Sequence, residues 1–250
     1  MSLEEISIIE TTDIKVENPV IICGLPDVGL VGVIAVSHII KSLDMEEVAY
    51  IDSEIFPPIV VFHRGTPTYP LRIYQKRNML AIFSEIALTP ESIHPLAKSI
   101  VNWSKEKKTS MLVSLGGVGV PNRLDIEIPK VYGASNMEYI RDNLKKMEIL
   151  IMEEGFLVGP YALIAKYSLQ ERIPNLVLLA ESYPNYPDPG AAASVITALN
   201  KFVTLNVDVK SLMDRSEEIR LSARELMRKT AESLEKMGKS QEYELPLMYV

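Results

Sequence analysis

The chain has 250 residues, 47% of them hydrophobic and 24% charged, with a formal net charge of -7. That composition fits a folded protein of one large α/β domain, or a domain with an appendage, whose core needs no disulfide staples. The acidic balance argues against bulk nucleic-acid binding, and a single cysteine, Cys23, leaves no intramolecular disulfide and no cysteine-based metal cluster.

The first residues, Met1 to Glu5, are acidic where a secretory signal would be basic. The longest apolar run, 28 to 40, is too short to span a bilayer. A cytoplasmic protein with neither nucleic-acid nor membrane partners is the expectation.

In chain order, Pro19 to Cys23 reads as a buried strand ending in glycine, and 28 to 43 as a helix. Strands follow at 47 to 51 and 59 to 63, and 69 to 75 with 79 to 85 reads as a hairpin turning at 76 to 78. Pro90 to Lys107 is an amphipathic helix, with Thr89 as N-cap and proline at its first position. Met111 to Leu115 is a second buried strand, broken by Gly116, Gly117, Val118 and Gly119. A helix at 136 to 147, a strand at 149 to 152, a helix at 160 to 169 and a strand at 176 to 180 continue the alternation. After a proline-rich loop, 183 to 190, Asp188 and Pro189 open a helix to about 205. A more polar helix covers 208 to 237 and Gly238 ends it. The alternation predicts a mainly parallel central sheet covered by helices on both faces. The expected organisation is an α/β domain over 1–207, a helix over 208–238 and a flexible tail over 239–250.

Two glycine turns stand where α/β folds hold phosphates. In Gly24 to Gly32 (GLPDVGLVG), Pro26 removes an amide donor, Asp27 repels a phosphate, and no P-loop lysine follows. Close strand–helix packing is favoured over a ligand site. For Gly116 to Gly119 a tight turn is likewise favoured over a pocket lining. His38, His63 and His94 lack metal-ligand spacing. No nucleophile elbow is present, and Cys23 lies in an apolar strand, where thiols are usually inert. The pairs Asp125/Glu127 and Glu153/Glu154 read as solvated loop charges. No cofactor, metal or catalytic residue is assigned.

On the last helix, Leu212, Ile219, Leu226 and Ser233 are spaced by seven, with Ser216, Ala223, Thr230 and Met237 as companion row. This narrow seam packs either on the chain's own domain or on a neighbouring subunit. The second option nominates Leu212, Ile219, Ala223, Leu226, Thr230 and Met237 as an oligomer interface.

Three segments together resemble the proteasome assembly chaperone family. They are GLPDVGLVG at 24 to 32, GFLVGPYAL at 155 to 163, and ESYPNYPDPGAA at 181 to 192 followed by a helix and Val207-Asp208. The closing Met248-Tyr249-Val250 resembles the hydrophobic-Tyr-X docking motif of proteasome activators, an instance of terminal-carboxylate capture. With it, the chain is similar to archaeal members that act on the core particle without ATP. The resemblance implies a fold related to nucleoside phosphorylases, a homo-oligomer (tetramer or small ring) and a non-enzymatic role as assembly chaperone or activator. It gives Met248, Tyr249 and Val250 the docking role in pockets of the proteasome α-ring, where the carboxylate pairs with a lysine and Tyr249 favours the open gate. The competing reading is an enzyme or binder of a nucleoside or phosphate compound that uses the two glycine turns.

Overall fold

The computed structural model describes residues 6–239. A nine-stranded sheet forms the middle layer. Its strands are β1 (Ser7–Glu10), β2 (Val20–Gly24), β3 (Glu46–Asp52), β6 (Leu71–Lys76), β7 (Met79–Ser84), β8 (Met111–Gly119), β9 (Val131–Ser135), β10 (Leu150–Ile151) and β11 (Asn175–Ser182). A separate ribbon pairs β4 (Val61–His63) with β5 (Thr66–Thr68). The helices are α1 (Val31–Ser42), α2 (Pro90–Glu106), α3 (Glu138–Lys146), α4 (Pro160–Glu171), α5 (Pro189–Phe202), α6 (Lys210–Asp214) and α7 (Ser216–Lys236).

The order across the sheet is β1-β3-β6-β7-β2-β8-β11-β9-β10. The centre, β7-β2-β8-β11, is parallel, as the strand–helix alternation predicts. The flanks depart from it. β1, β3, β6 and β7 form antiparallel pairs, and β9 runs antiparallel to β11. Short turns such as that between Lys76 and Met79 can only reverse a chain, whereas parallel neighbours need a crossover helix.

Successive residues of the central strands face opposite cores. Ile22, Val113 and Leu178 meet α1, α3, α5 and the C-terminal helices; Ile21, Cys23 and Leu112 meet α2 and α4. Burial on both faces explains why these strands read as continuous apolar runs. Cys23 is fully buried, and burial pushes its thiol well above the ordinary range. A disulfide reagent at about pH 8 is expected to leave the native protein unmodified and to titrate one thiol per chain in denaturant. Reaction in native buffer would show that the strand opens locally.

The helix starts follow local chemistry. The Thr89 amide donates to Ser92 Oγ at 3.1 Å ahead of Pro90. Asp188 accepts from the Ala191 amide at 2.9 Å ahead of Pro189. Two expectations are corrected. β8 does not break at Gly116; it continues to Gly119 because β11 pairs with every residue that far, from Gly116↔Leu179 to Gly119↔Ser182. The polar helix over 208 to 237 is two helices, since the backbone leaves helical geometry at Arg215 (φ -105°, ψ 18°) between α6 and α7.

Candidate functional site

Strands β2, β8 and β11 run parallel, so the loops that follow them gather at one edge of the sheet. The three recurrent segments meet there. Tyr161, the first aromatic of α4, is fully buried; its hydroxyl accepts from the Leu25 amide at 2.8 Å and donates to the Leu25 carbonyl at 2.9 Å. Burial first, then the nearby Asp27 charge, hold that phenol well above its usual range, so it stays neutral. The Gly29 carbonyl accepts from the Asp188 amide at 2.8 Å and ties the first turn to the proline-rich loop.

The space beside two glycines of the first turn is filled by protein. Gly29 has φ +61°, and a Cβ there would lie 2.0 Å from Ser182 Oγ; at Gly32 it would lie 2.1 Å from the Leu115 carbonyl oxygen. Gly29 makes room for a serine side chain and Gly32 for a backbone carbonyl, which is the packing reading. Asp27 is fully buried beneath the turn.

Arg123, in the loop after β8, meets Asp188 in a bidentate pair, Nε to Oδ2 at 2.7 Å and Nη2 to Oδ1 at 3.0 Å. Its Nη1 donates to the Ile126 carbonyl, and its guanidinium lies 4.9 Å from the centroid of the Tyr183 ring. The sequence marks Asp188 as a helix cap but gives no sign of Arg123, an isolated basic residue in a loop.

Helix α7 closes this edge. Between it and the proline-rich loop lies a groove of about 1230 Å³, lined among others by Val28, Gly119, Tyr186, Leu221, Arg224 and Met227. Tyr186 and Leu221 are 70% and 73% exposed. A second groove of about 510 Å³ opens on the other flank of α7, toward Ile59, Glu85 and Leu88. Of the seam residues, Leu212 and Thr230 are buried, while Ile219, Ala223 and Leu226 are half-buried against the core that holds α1 and α5. Met237 packs on the opposite core. The seam therefore covers the chain's own domain. The docking tripeptide Met248, Tyr249 and Val250 lies outside the described residues.

α7 ends in a Schellman turn. The Gly238 amide donates to Glu235 O and the Lys239 amide to Leu234 O, each at 3.0 Å, with Gly238 at φ +77°. Lys239 then turns inward. Its Nζ lies 3.2 Å from Asp27 Oδ1 and 3.3 Å from Oδ2, and donates to the Val158 carbonyl at 2.6 Å.

The remaining candidates stay apart. His38 donates to the Asp208 carbonyl, His63 sits by Glu85 and Arg72, and His94 by Tyr167. Among the described residues no group of three or more His, Cys, Asp or Glu is placed to hold a metal ion. Asp125, Glu127, Glu153 and Glu154 are exposed.

The model of the PAC2 family matches residues 21–227, a span that takes in all three recurrent segments and most of α7. The chain belongs to the PAC2 family. An uncharacterized relative from Methanocaldococcus jannaschii is 31% identical over 248 residues, covering 99% of this chain and 100% of its own length. The fold is similar to that of Pyrococcus furiosus PbaA, an archaeal homolog of proteasome-assembly chaperone, with TM-score 0.85 and 32% identity over 91% of this chain and 98% of that one. It is also similar to P. furiosus PbaB, an archaeal proteasome activator, with TM-score 0.74 and 23% identity over 89% and 99% of the two chains. At that lower identity the second likeness concerns the fold alone. The three-layer α/β architecture is thus that of solved PAC2-like proteins.

Proposed function

We propose that this PAC2-family chain is an ATP-independent proteasome-binding protein of the cytoplasm. It acts as an assembly chaperone or activator, docking Met248, Tyr249 and Val250 into α-ring pockets of the core particle. The observation that carries the reading is the near whole-chain likeness to PbaA, at 32% identity and TM-score 0.85. The closing tripeptide supplies the docking chemistry: an apolar side chain, a ring with a hydroxyl, and a carboxylate.

A nucleoside or phosphate binder is less well supported. The groove does lie at the carboxyl ends of parallel strands, where α/β folds bind ligands. The first glycine turn, however, is packed against Ser182 and Leu115, Gly116 to Gly119 are part of β8, and Pro26 and Asp27 oppose a phosphate.

One short tail binds weakly, on the order of -4 to -6 kcal/mol. Several tails on one scaffold add roughly 10²–10⁴-fold through effective concentration. The mechanism therefore requires a homo-oligomer. Light scattering is expected to give a mass well above 28.0 kDa. The protein should co-elute with intact core particle and stimulate its peptide hydrolysis without ATP. A monomer at roughly 50 μM that neither co-elutes nor stimulates would overturn the reading.

A further inference from the structure

We infer that Asp27 and Lys239 are positioning residues for the C-terminal tail: their buried ion pair fixes Lys239, the residue from which the chain continues into 240–250. The inference rests on the proposed docking role of that tail.

Lys239 is the residue that precedes this segment. Its side chain is 4% exposed and that of Asp27 is 0% exposed. Through Asp27 and the Val158 carbonyl, the end of α7 is tied to the first glycine turn and to the approach to α4, positions 212 and 81 residues away in the chain.

A buried ion pair is a poor device for stability alone, because desolvation of both charges offsets most of their attraction; apolar side chains could close the same contact. What the pair adds is choice of register. Along its last three turns α7 seats Met227, Thr230 and Leu234 as its buried residues, a narrow seam between the two grooves, with Glu225 and Glu232 lining both. Such a seam tolerates small slides and rotations. Asp27 does not, since a slide that withdraws Lys239 leaves a carboxylate unpaired inside the protein.

Register matters because the tail is short. Eleven residues reach at most about 36 Å. α7 itself is 21 residues, about 32 Å long, and it is joined to α6 through the non-helical Arg215. A slide of one helical turn along the seam would shift the tail's root by about 5.4 Å, a loss that each tail must make up from its limited reach. Avidity holds only while several tails reach their pockets together, so a wandering root lowers effective concentration at every site.

The test uses the full chain and intact core particle, with Asp27→Asn, Lys239→Met and the double variant. Lys239→Met alone is expected to lower Tm by roughly 6–20 °C, since Asp27 is left buried and unpaired. The double variant should recover most of that Tm and the wild-type mass. Its half-maximal concentration for stimulation should nevertheless rise roughly tenfold or more, while maximal stimulation at saturation is kept. A synthetic peptide of residues 240–250 should displace the double variant at a lower concentration than the wild type, because the chemistry of each pocket is untouched and only avidity is lost. Lys239→Arg, which keeps the charge, should stay near wild type.

A double variant that matches wild type at every concentration would overturn the inference and leave the docking role standing. Failure of the unaltered protein to bind the core particle would overturn both. Should the double variant fail to fold, Lys239→Met takes its place, assayed well below its Tm. It removes the donor toward Val158 and Asp27, and an unchanged half-maximal concentration there would equally overturn the inference.

Discussion

Removing Met248, Tyr249 and Val250 is expected to abolish stimulation of the core particle while leaving thermal stability and oligomer mass nearly unchanged. Tyr249→Ala should do the same. The seam on α7, the Schellman turn at Gly238 and the Asp27–Lys239 pair all precede the tripeptide, so truncation removes none of them. An anchoring tyrosine often costs about 2 kcal/mol or more when truncated, roughly thirtyfold at one pocket. The loss repeats at every tail, and avidity multiplies it. Extending the chain by one residue beyond Val250 tests the carboxylate alone, since the charge then moves away from its pocket partner. A truncated protein that activates at wild-type concentrations would show the tripeptide to be accidental, leaving only an assembly role.

Asp188→Ala is expected to give the largest loss of stability. The carboxylate is fully buried and accepts from Arg123 Nε and Nη2, the Ala191 amide and the Tyr183 amide. Its removal leaves a buried guanidinium unpaired, at about 3–5 kcal/mol. It also removes the cap of α5, at about 1 kcal/mol. A sum of about 4–6 kcal/mol is a large share of the roughly 5–15 kcal/mol that holds a typical domain together. Asp188→Asn keeps a capping oxygen and should lose less. Adding Arg123→Met to Asp188→Ala should cost less than the two single losses combined, because the second change removes the orphaned charge. Urea unfolding of the wild type, the three single variants and the double variant measures this. A loss under about 1 kcal/mol for Asp188→Ala would mean that the proline-rich loop is held by its other contacts.

How the structure relates to the sequence depends on how far apart the interacting residues lie. Local signals were legible. The apolar runs around Ile22, Val113 and Leu178 announce strands buried on both faces. Thr89-Pro90 and Asp188-Pro189 place two helix starts, and Gly238 places a helix end, because each acts on amides and carbonyls within one turn. The three segments that carry the family resemblance were legible too, as was close strand–helix packing at Gly24 to Gly32. What Gly29 and Gly32 make room for, a serine and a carbonyl on neighbouring strands, was not.

The antiparallel β6–β7 pair was expected as a hairpin, but tertiary structure alone decided the other antiparallel pairs, the continuation of β8 through its glycines, the break at Arg215 and the two buried ion pairs. A central strand is held by its neighbours' hydrogen bonds, so β11 overrides the weak propensity of Gly116 and Gly117. Arg123 finds Asp188 across 65 residues, and Asp27 finds Lys239 across 212. No periodicity or cap links such positions in sequence. The sequence read Asp27 as a charge that repels phosphate, and only the fold brings Lys239 to it. The physical reason is that a buried charge is tolerated where the folded chain returns an opposite charge to the same point, and that point exists only in three dimensions.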